Sequence, residues 1–373
     1  MSGTFSRRAF LGGIATTGTA AVPGAFLSTT ALLAATPVVV ANYPLSAPRP
    51  EPGGPVKIVA GPGAPLTPAE AEQIRSAGKN VELHVCRTEE EFREKAADAE
   101  ALLGVVDREV LANAKKVKWI QAWAAGVEDL PEEIFEHPAV LTNMARVFTP
   151  VIAESAFAML LGLTRGLVQT FMPNMRQHRW EGGSRAPLID LYQKTMGIVG
   201  LGGMGSEIAR RAYYGFSMKV LATDAKPLPK PEFVAELREP EWLMEMVPQV
   251  DVLVSAAPHT KITDKMFNAA VFERMKPTAY FINTSRGGLV DQPALARALV
   301  KGRIRGAGLD VTTPEPLPPG DPLWDAPNLI ITGHTSGAAP IRQVRLIGMA
   351  AENVRRYTNG LPLLNVCDKV RRY

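Results

Sequence analysis

From Val56 onward the chain repeats one grammar, a short apolar run followed by a stretch of helical period, and that alternation leaves little choice of fold. VKIVA (56–60), VELHVC (81–86), ALLGVV (101–106) and VKWIQAW (117–123) read as parallel strands, with PAEAEQIRSAG and EEEFREKAAD as helices between them. A long helical pattern runs from Pro150 through Leu167. Six more runs follow: MGIVG, KVLATD (219–224), VDVLVSAAP (250–258), AYFINTS (279–285), GAGLDV (306–311) and LIITGH (329–334). Six strands is the count of a complete doubly wound fold. A last helical stretch, from Ile341 to Gly360, is expected to return to the first unit. The expected fold class is therefore α/β, with two Rossmann-like doubly wound parallel-sheet domains. Residues 56–150 and 338–373 form a discontinuous, flavodoxin-like substrate domain, and residues 151–337 a dinucleotide-binding domain.

The first 41 residues read as an address rather than as fold. SRRAFL (Ser6 to Leu11) carries paired arginines, and no charged residue follows between Arg8 and Arg49. Gly12, Gly13, Gly18, Pro23 and Gly24 make this stretch a poor membrane-spanning helix. A basic start, an apolar middle and a small-residue exit at Val39-Val40-Ala41, with Ala34 and Ala35 as rival exits, describe an export signal. The paired arginines make it resemble a twin-arginine signal. The expected location is periplasmic or extracellular through the export machinery, with cytoplasmic retention or an uncleaved anchor as alternatives. Residues 42–55 are proline-rich and read as an extended linker.

Charged residues at 21% and hydrophobic residues at 46% are ordinary for a globular protein of 373 residues. A formal charge of +4 without an extended Lys/Arg block argues against a nucleic-acid partner. Two cysteines, Cys86 and Cys367, cannot build a metal site, and no metal is expected.

In TMGIVGLGGMG (195–205), Gly200, Gly202 and Gly205 follow a strand and open the helix SEIARRAYYG. Gly200 permits the tight turn, Gly202 lets a pyrophosphate approach the backbone, and Gly205 allows close helix–strand packing. The helix amino terminus adds free N–H groups and a positive dipole end. Asp224 ends the next strand nineteen residues after Gly205. A carboxylate there accepts ribose hydroxyls and repels a 2′-phosphate, which favours NAD over NADP, with Lys226 nearby as a reservation. Three further side chains, Arg286, Glu315 and His334, fall just past the ends of the last three runs, where an open parallel sheet binds its ligands. A guanidinium, a carboxylate and an imidazole converging there suit acid–base chemistry on a small anion.

The segments VGLGGMG, NTSRGGLVDQPALARAL (283–299), GAGLDVTTPEP (306–316) and GHTSG (333–337) stand in this order with Asp224 among them. AAGVEDL (124–130), VIAESAFAMLLGLTR (151–165) and the carboxyl-terminal LPLLNVCDKV extend the series. With these residues the chain resembles the D-isomer-specific 2-hydroxyacid dehydrogenases over nearly all of residues 56 to 373. The resemblance implies hydride transfer between NAD(H) and a small 2-hydroxy or 2-keto acid of the glyoxylate or hydroxypyruvate kind. It makes Arg286 the substrate-binding arginine, His334 the acid/base and Glu315 its carboxylate partner. It sets Gly203 and Met204 against the pyrophosphate, and Thr284, Ser285 and Asp310 on the nicotinamide side. The backbone N–H groups of Ala125 and Gly126 would hold the substrate carboxylate. It also implies a homodimer, built with helices like the one from Val151 to Leu167.

The chemistry agrees with those residue types. A guanidinium fork binds the carboxylate and carbonyl oxygens of a planar keto acid together. A positioned imidazole neutralises the alkoxide that hydride delivery creates, and a neighbouring carboxylate fixes its orientation. Gly333 stands where the family commonly has proline, and DVTTPEP lacks the usual aromatic after DV; both touch substrate choice rather than reaction class. Formate enzymes of this fold carry glutamine where Glu315 stands, which argues against formate. A phosphite dehydrogenase and a non-enzymatic NADH sensor are the alternatives. His259, in APHT, reads as a bystander facing the nicotinamide, and His84, His137 and His178 as ordinary surface or packing residues.

Overall fold

The computed structural model describes residues 55–64, 66–181 and 188–373; the export-signal reading and nearly all of the linker lie outside the described residues. Among the described residues twelve strands form two sheets. β1 (Val56–Ala60), β2 (Val81–Val85), β3 (Ala101–Leu103), β4 (Trp119–Gln121) and β5 (Val140–Thr142) lie in the order β2-β1-β3-β4-β5. β6 (Thr195–Val199), β7 (Lys219–Thr223), β8 (Glu236–Arg238), β9 (Val252–Ser255), β10 (Tyr280–Asn283), β11 (Gly306–Leu309) and β12 (Leu329–Ile331) form the second, ordered β12-β11-β10-β9-β6-β7-β8. Every pairing in both is parallel. The orders are those of flavodoxin-like and Rossmann sheets, and each reverses direction at its first strand, so the crevice of the second sheet opens between β6 and β9.

The expected runs become strands, and two strands escape a reading of composition. β5 and β8 are three residues each, as are β3, β4 and β12, but those three lie within longer apolar runs, whereas the β5 run is only Ala139–Leu141 and β8 (ELR) is a polar edge strand. Its side chains are half-buried or exposed, so no apolar signature is required of it.

Helices start where side-chain oxygens accept first-turn N–H groups. Thr67, Thr88 and Asp107 do so for the helices Pro68–Ser76, Glu89–Ala96 and Arg108–Asn113. The Gly203–Phe216 helix, like Thr149–Thr164 and Ile341–Thr358, has no side-chain cap, and Gly202 at its start leaves the leading N–H groups for another acceptor. Helix Thr149–Thr164 packs one face into the core of the second lobe. Phe157 stacks on Phe216 at 4.9 Å, and a Cβ on Gly308 of β11 would lie 2.9 Å from Met159 Cβ. On its other side Glu154 and Ala158 are exposed and Val151 and Leu161 half-buried. Beyond it Leu167, Val168, Met172, Met175 and Trp180 are exposed.

The carboxyl-terminal helix Ile341–Thr358 packs against Pro68–Ser76 of the first lobe. Ile347 and Val354 are buried as its period suggests, whereas Val344 faces out. Tyr357 stacks on Trp119 of β4 at 5.3 Å, and an antiparallel bridge joins Val366 to Thr142 of β5. Cys86 and Cys367 are separate, buried thiols, pushed up by desolvation to about 11 and about 12.

Candidate active site

The glycine loop follows β6 in the crevice. Gly200 has φ +94, and a Cβ there would lie 2.7 Å from the Ala257 amide past β9. A Cβ on Gly205 would strike the Gly200 carbonyl and crowd Ile198 at 3.0 Å, so helix and strand approach as closely as backbone permits. A Cβ on Gly202 would meet nothing within 4 Å, which leaves room beside the uncapped helix for an anion. The loop thus fits a dinucleotide pyrophosphate. Met204 sulfur lies 3.5 Å from the Thr284 hydroxyl, which joins the loop to the β10 end. Asp224 is drawn onto the same loop: its carboxylate accepts from the Leu201 amide at 2.7 Å and from the Lys226 amide at 2.8 Å. The Lys226 ammonium sits 4.2 Å over the Tyr373 ring, and burial lowers its pKa.

Arg286 leaves the end of β10 on a turn organised by Asn283. The Asn283 side chain accepts from the Ser285 amide at 3.1 Å and donates to the Arg286 carbonyl at 2.9 Å. Ser285 points inward, its hydroxyl 2.8 Å from that of Ser255. Arg286 Nη1 donates to the Ser285 carbonyl at 2.7 Å, while Nε is ion-paired with Glu128 across the lobes. A Cβ on Gly126 would collide with Arg286 Nη2, so the guanidinium lies directly against the Ala125–Gly126 loop. Asn143 steadies that loop by donating to the Ala125 carbonyl at 2.7 Å.

Glu128, Asn143 and Asn283 escaped the sequence reading. Glu128 stands two residues beyond Gly126, inside a segment already singled out, but nothing in one lobe's sequence announces a partner in the other. Desolvation raises the Glu128 pKa, and the Arg286 charge and hydrogen bond, with a smaller contribution from His259, outweigh it; the net shift is downward.

Glu315 and His334 meet beyond β11 and β12. Nδ1 of His334 lies 2.7 Å from Oε2 of Glu315, and Oε1 accepts from the Thr312 amide at 3.0 Å. With Nδ1–H donating to this carboxylate, Nε2 is the ring nitrogen that the pair leaves open. His334 has φ +54, a left-handed conformation costly for a histidine.

Asp310 holds it there. Its buried carboxylate accepts from Thr332 Oγ1 at 2.6 Å, the Thr335 amide at 3.0 Å and the Ser336 amide at 3.1 Å. Its carbonyl accepts from the His334 amide at 2.8 Å. His259 is committed elsewhere, with Nε2 2.9 Å from Asp264 Oδ1 and its ring over Gly288. Among the described residues no cluster of His, Cys, Asp and Glu could hold a metal ion.

Residues 157–336 match the family described as D-isomer specific 2-hydroxyacid dehydrogenase, NAD binding domain. The chain is 34% identical over 276 residues to a glyoxylate reductase of Korarchaeum cryptofilum, covering 72% of this chain and 82% of that protein. A solved D-isomer specific 2-hydroxyacid dehydrogenase family protein of Aeromonas salmonicida is 28% identical, with a TM-score of 0.69 over 84% of this chain and 99% of that one. An NADPH-dependent glyoxylate/hydroxypyruvate reductase of Sinorhizobium meliloti is 25% identical, with a TM-score of 0.66 over 84% of this chain and 98% of its own.

Proposed function

This chain belongs to the D-isomer specific 2-hydroxyacid dehydrogenase family, and from that premise we propose that it reduces glyoxylate, hydroxypyruvate or a similarly small 2-keto acid with NADH. The single observation that carries the reading is the convergence of Arg286 with the Glu315–His334 pair at the ends of β10, β11 and β12, beside a loop that fits a dinucleotide. Arg286 would grip the substrate carboxylate against the Ala125 and Gly126 amides, with one nitrogen left to polarise the carbonyl. Bound NADH supplies the hydride for the carbonyl carbon. His334 would donate its Nε2 proton to the oxygen as negative charge builds, and Glu315 holds the ring so that this nitrogen faces the substrate. In the oxidative direction the same nitrogen serves as base.

Asp224 supports NADH over NADPH, since a carboxylate on the glycine loop repels a 2′-phosphate. The Sinorhizobium relative uses NADPH and Lys226 stands close by, so the assay carries both dinucleotides. Purified protein is mixed with each reduced cofactor and glyoxylate, hydroxypyruvate or pyruvate, and the nicotinamide absorbance is followed. Turnover is expected. Tight NADH binding with no turnover on any keto acid would favour a sensor, and NAD reduction by phosphite alone would favour the phosphite enzyme.

Two further parts of the reading concern the whole protein. Leu167, Val168, Met172, Met175 and Trp180 expose an apolar patch that supports a homodimer; light scattering should give the dimer mass, and Trp180→Asp should lower it. Arg7 and Arg8 support twin-arginine export into the periplasm, and replacing both with lysine should leave the protein in the cytoplasm.

A further inference from the structure

Arg146 lies outside every motif above, in the turn between β5 and the helix Thr149–Thr164, and its backbone is left-handed at φ +72. Left-handed backbone costs a non-glycine residue of order 1 kcal/mol or more and persists only where the surroundings over-determine it. Here they do. The Ala145 amide donates to Asn143 Oδ1 at 3.0 Å, the Thr149 hydroxyl to the Arg146 carbonyl at 3.0 Å, and Asn365 Nδ2 to the Ala145 carbonyl at 2.7 Å.

The pinned turn delivers the arginine to one place. A Cβ built on Gly203 would lie 2.6 Å from Arg146 Cγ and 3.2 Å from Thr149 Cγ2. Gly203 is the first residue of the uncapped Gly203–Phe216 helix. The stem of Arg146 therefore rests on the loop that fits a pyrophosphate, and its half-buried guanidinium is partly stripped of water. Desolvation lowers its pKa.

We propose that Arg146 is a cofactor-binding residue, a cationic clamp reaching over the glycine loop from the interlobe turn to the dinucleotide's phosphates. A helix amino terminus offers partial charges and N–H groups; a guanidinium adds a full charge and forked hydrogen bonds. Because Arg146 stands between β5 of the first lobe and the helix entering the second, the clamp ties dinucleotide binding to the turn connecting them. The inference rests on the reading of Gly200–Gly205 as a dinucleotide loop.

The test measures NADH binding directly, by fluorescence titration of the whole protein, for wild type, Arg146→Met, Arg146→Gly and Arg146→Lys. Methionine keeps an unbranched stem over Gly203 and the same backbone requirement while deleting the charge. Glycine removes the side chain and suits the left-handed backbone. Losing a charge-assisted hydrogen bond to phosphate should raise Kd roughly tenfold or more in the methionine and glycine variants. Lysine should fall between them and wild type. The rise of Kd with salt should be shallower in Arg146→Met, and the melting temperature of dinucleotide-free Arg146→Gly should not fall. An Arg146→Met protein binding NADH within twofold of wild type, with an unchanged salt dependence, overturns the clamp. Wild type binding neither NADH nor NADPH overturns the dinucleotide-loop reading itself, and the clamp with it.

Discussion

His334, the proposed acid/base, sits in a left-handed backbone conformation, and Asp310 holds it there by collecting donors at Thr332, Thr335 and Ser336. A ring whose backbone is held from below and whose Nδ1 is held by Glu315 has little orientation left to lose when substrate arrives. His334→Ala is expected to reduce turnover roughly 10²–10⁴-fold while NADH binding stays near wild type. Arg286→Ala should act mainly on KM for the keto acid, because the guanidinium grips the ground state as well as the transition state. Steady-state kinetics with a parallel NADH titration separate the two, and an active His334→Ala enzyme would move the acid role to another group. The residue types needed for this chemistry were legible as side chains just past apolar runs. Asp310 was legible only as a carboxylate after a strand. Its task depends on a loop more than twenty residues downstream folding over it, which no local pattern records.

At the scale of elements, period and composition located the long strands and helices because burial imposes a repeat on them. The three-residue strands β3, β4 and β12 were legible through the longer apolar runs that contain them, whereas β5 and β8 have no such run and emerge only from their neighbours' hydrogen bonds. The helix Thr149–Thr164 shows a second limit: an apolar surface says that more than one side is covered, not what covers it. Here Phe216 and the β11 glycine supply part of the cover. The β6–glycine loop–helix unit is sensitive to one methyl group. Gly205→Ala would drive a Cβ into the Gly200 carbonyl, and overpacking of this sort costs about 1–3 kcal/mol. The urea midpoint should fall and NADH affinity with it; an unchanged midpoint would mean that the loop yields without resistance.

For the whole molecule, the Glu128–Arg286 ion pair is a direct link between the two lobes. Folding depresses the Glu128 pKa below its ordinary value of 4.5, so this carboxylate contributes stability at pH above that value and loses the contribution as pH falls through the folded pKa. Urea unfolding between pH 7 and pH 3 should therefore show an acid-side decline that is smaller in Glu128→Gln. Identical pH profiles would remove the pair from the stability of the molecule. Neither lobe's sequence contains this link, since Arg286 reads as a substrate ligand and Glu128 carries no local sign of a partner in the other lobe.

The return of the chain end to the first sheet imposes an order on biosynthesis. Trp119 and β5 leave the ribosome early, yet the Tyr357 ring that stacks on one and the Val366 bridge that closes the other are made more than two hundred residues later. At bacterial or eukaryotic elongation speeds the half-made lobe waits roughly 10–45 s, while the second lobe, contiguous in sequence, can already be folding behind it. The part of the protein born first is the part completed last, and any translational pause after Gly337 prolongs the interval in which its unfinished edge is open to chaperones or to a neighbouring chain.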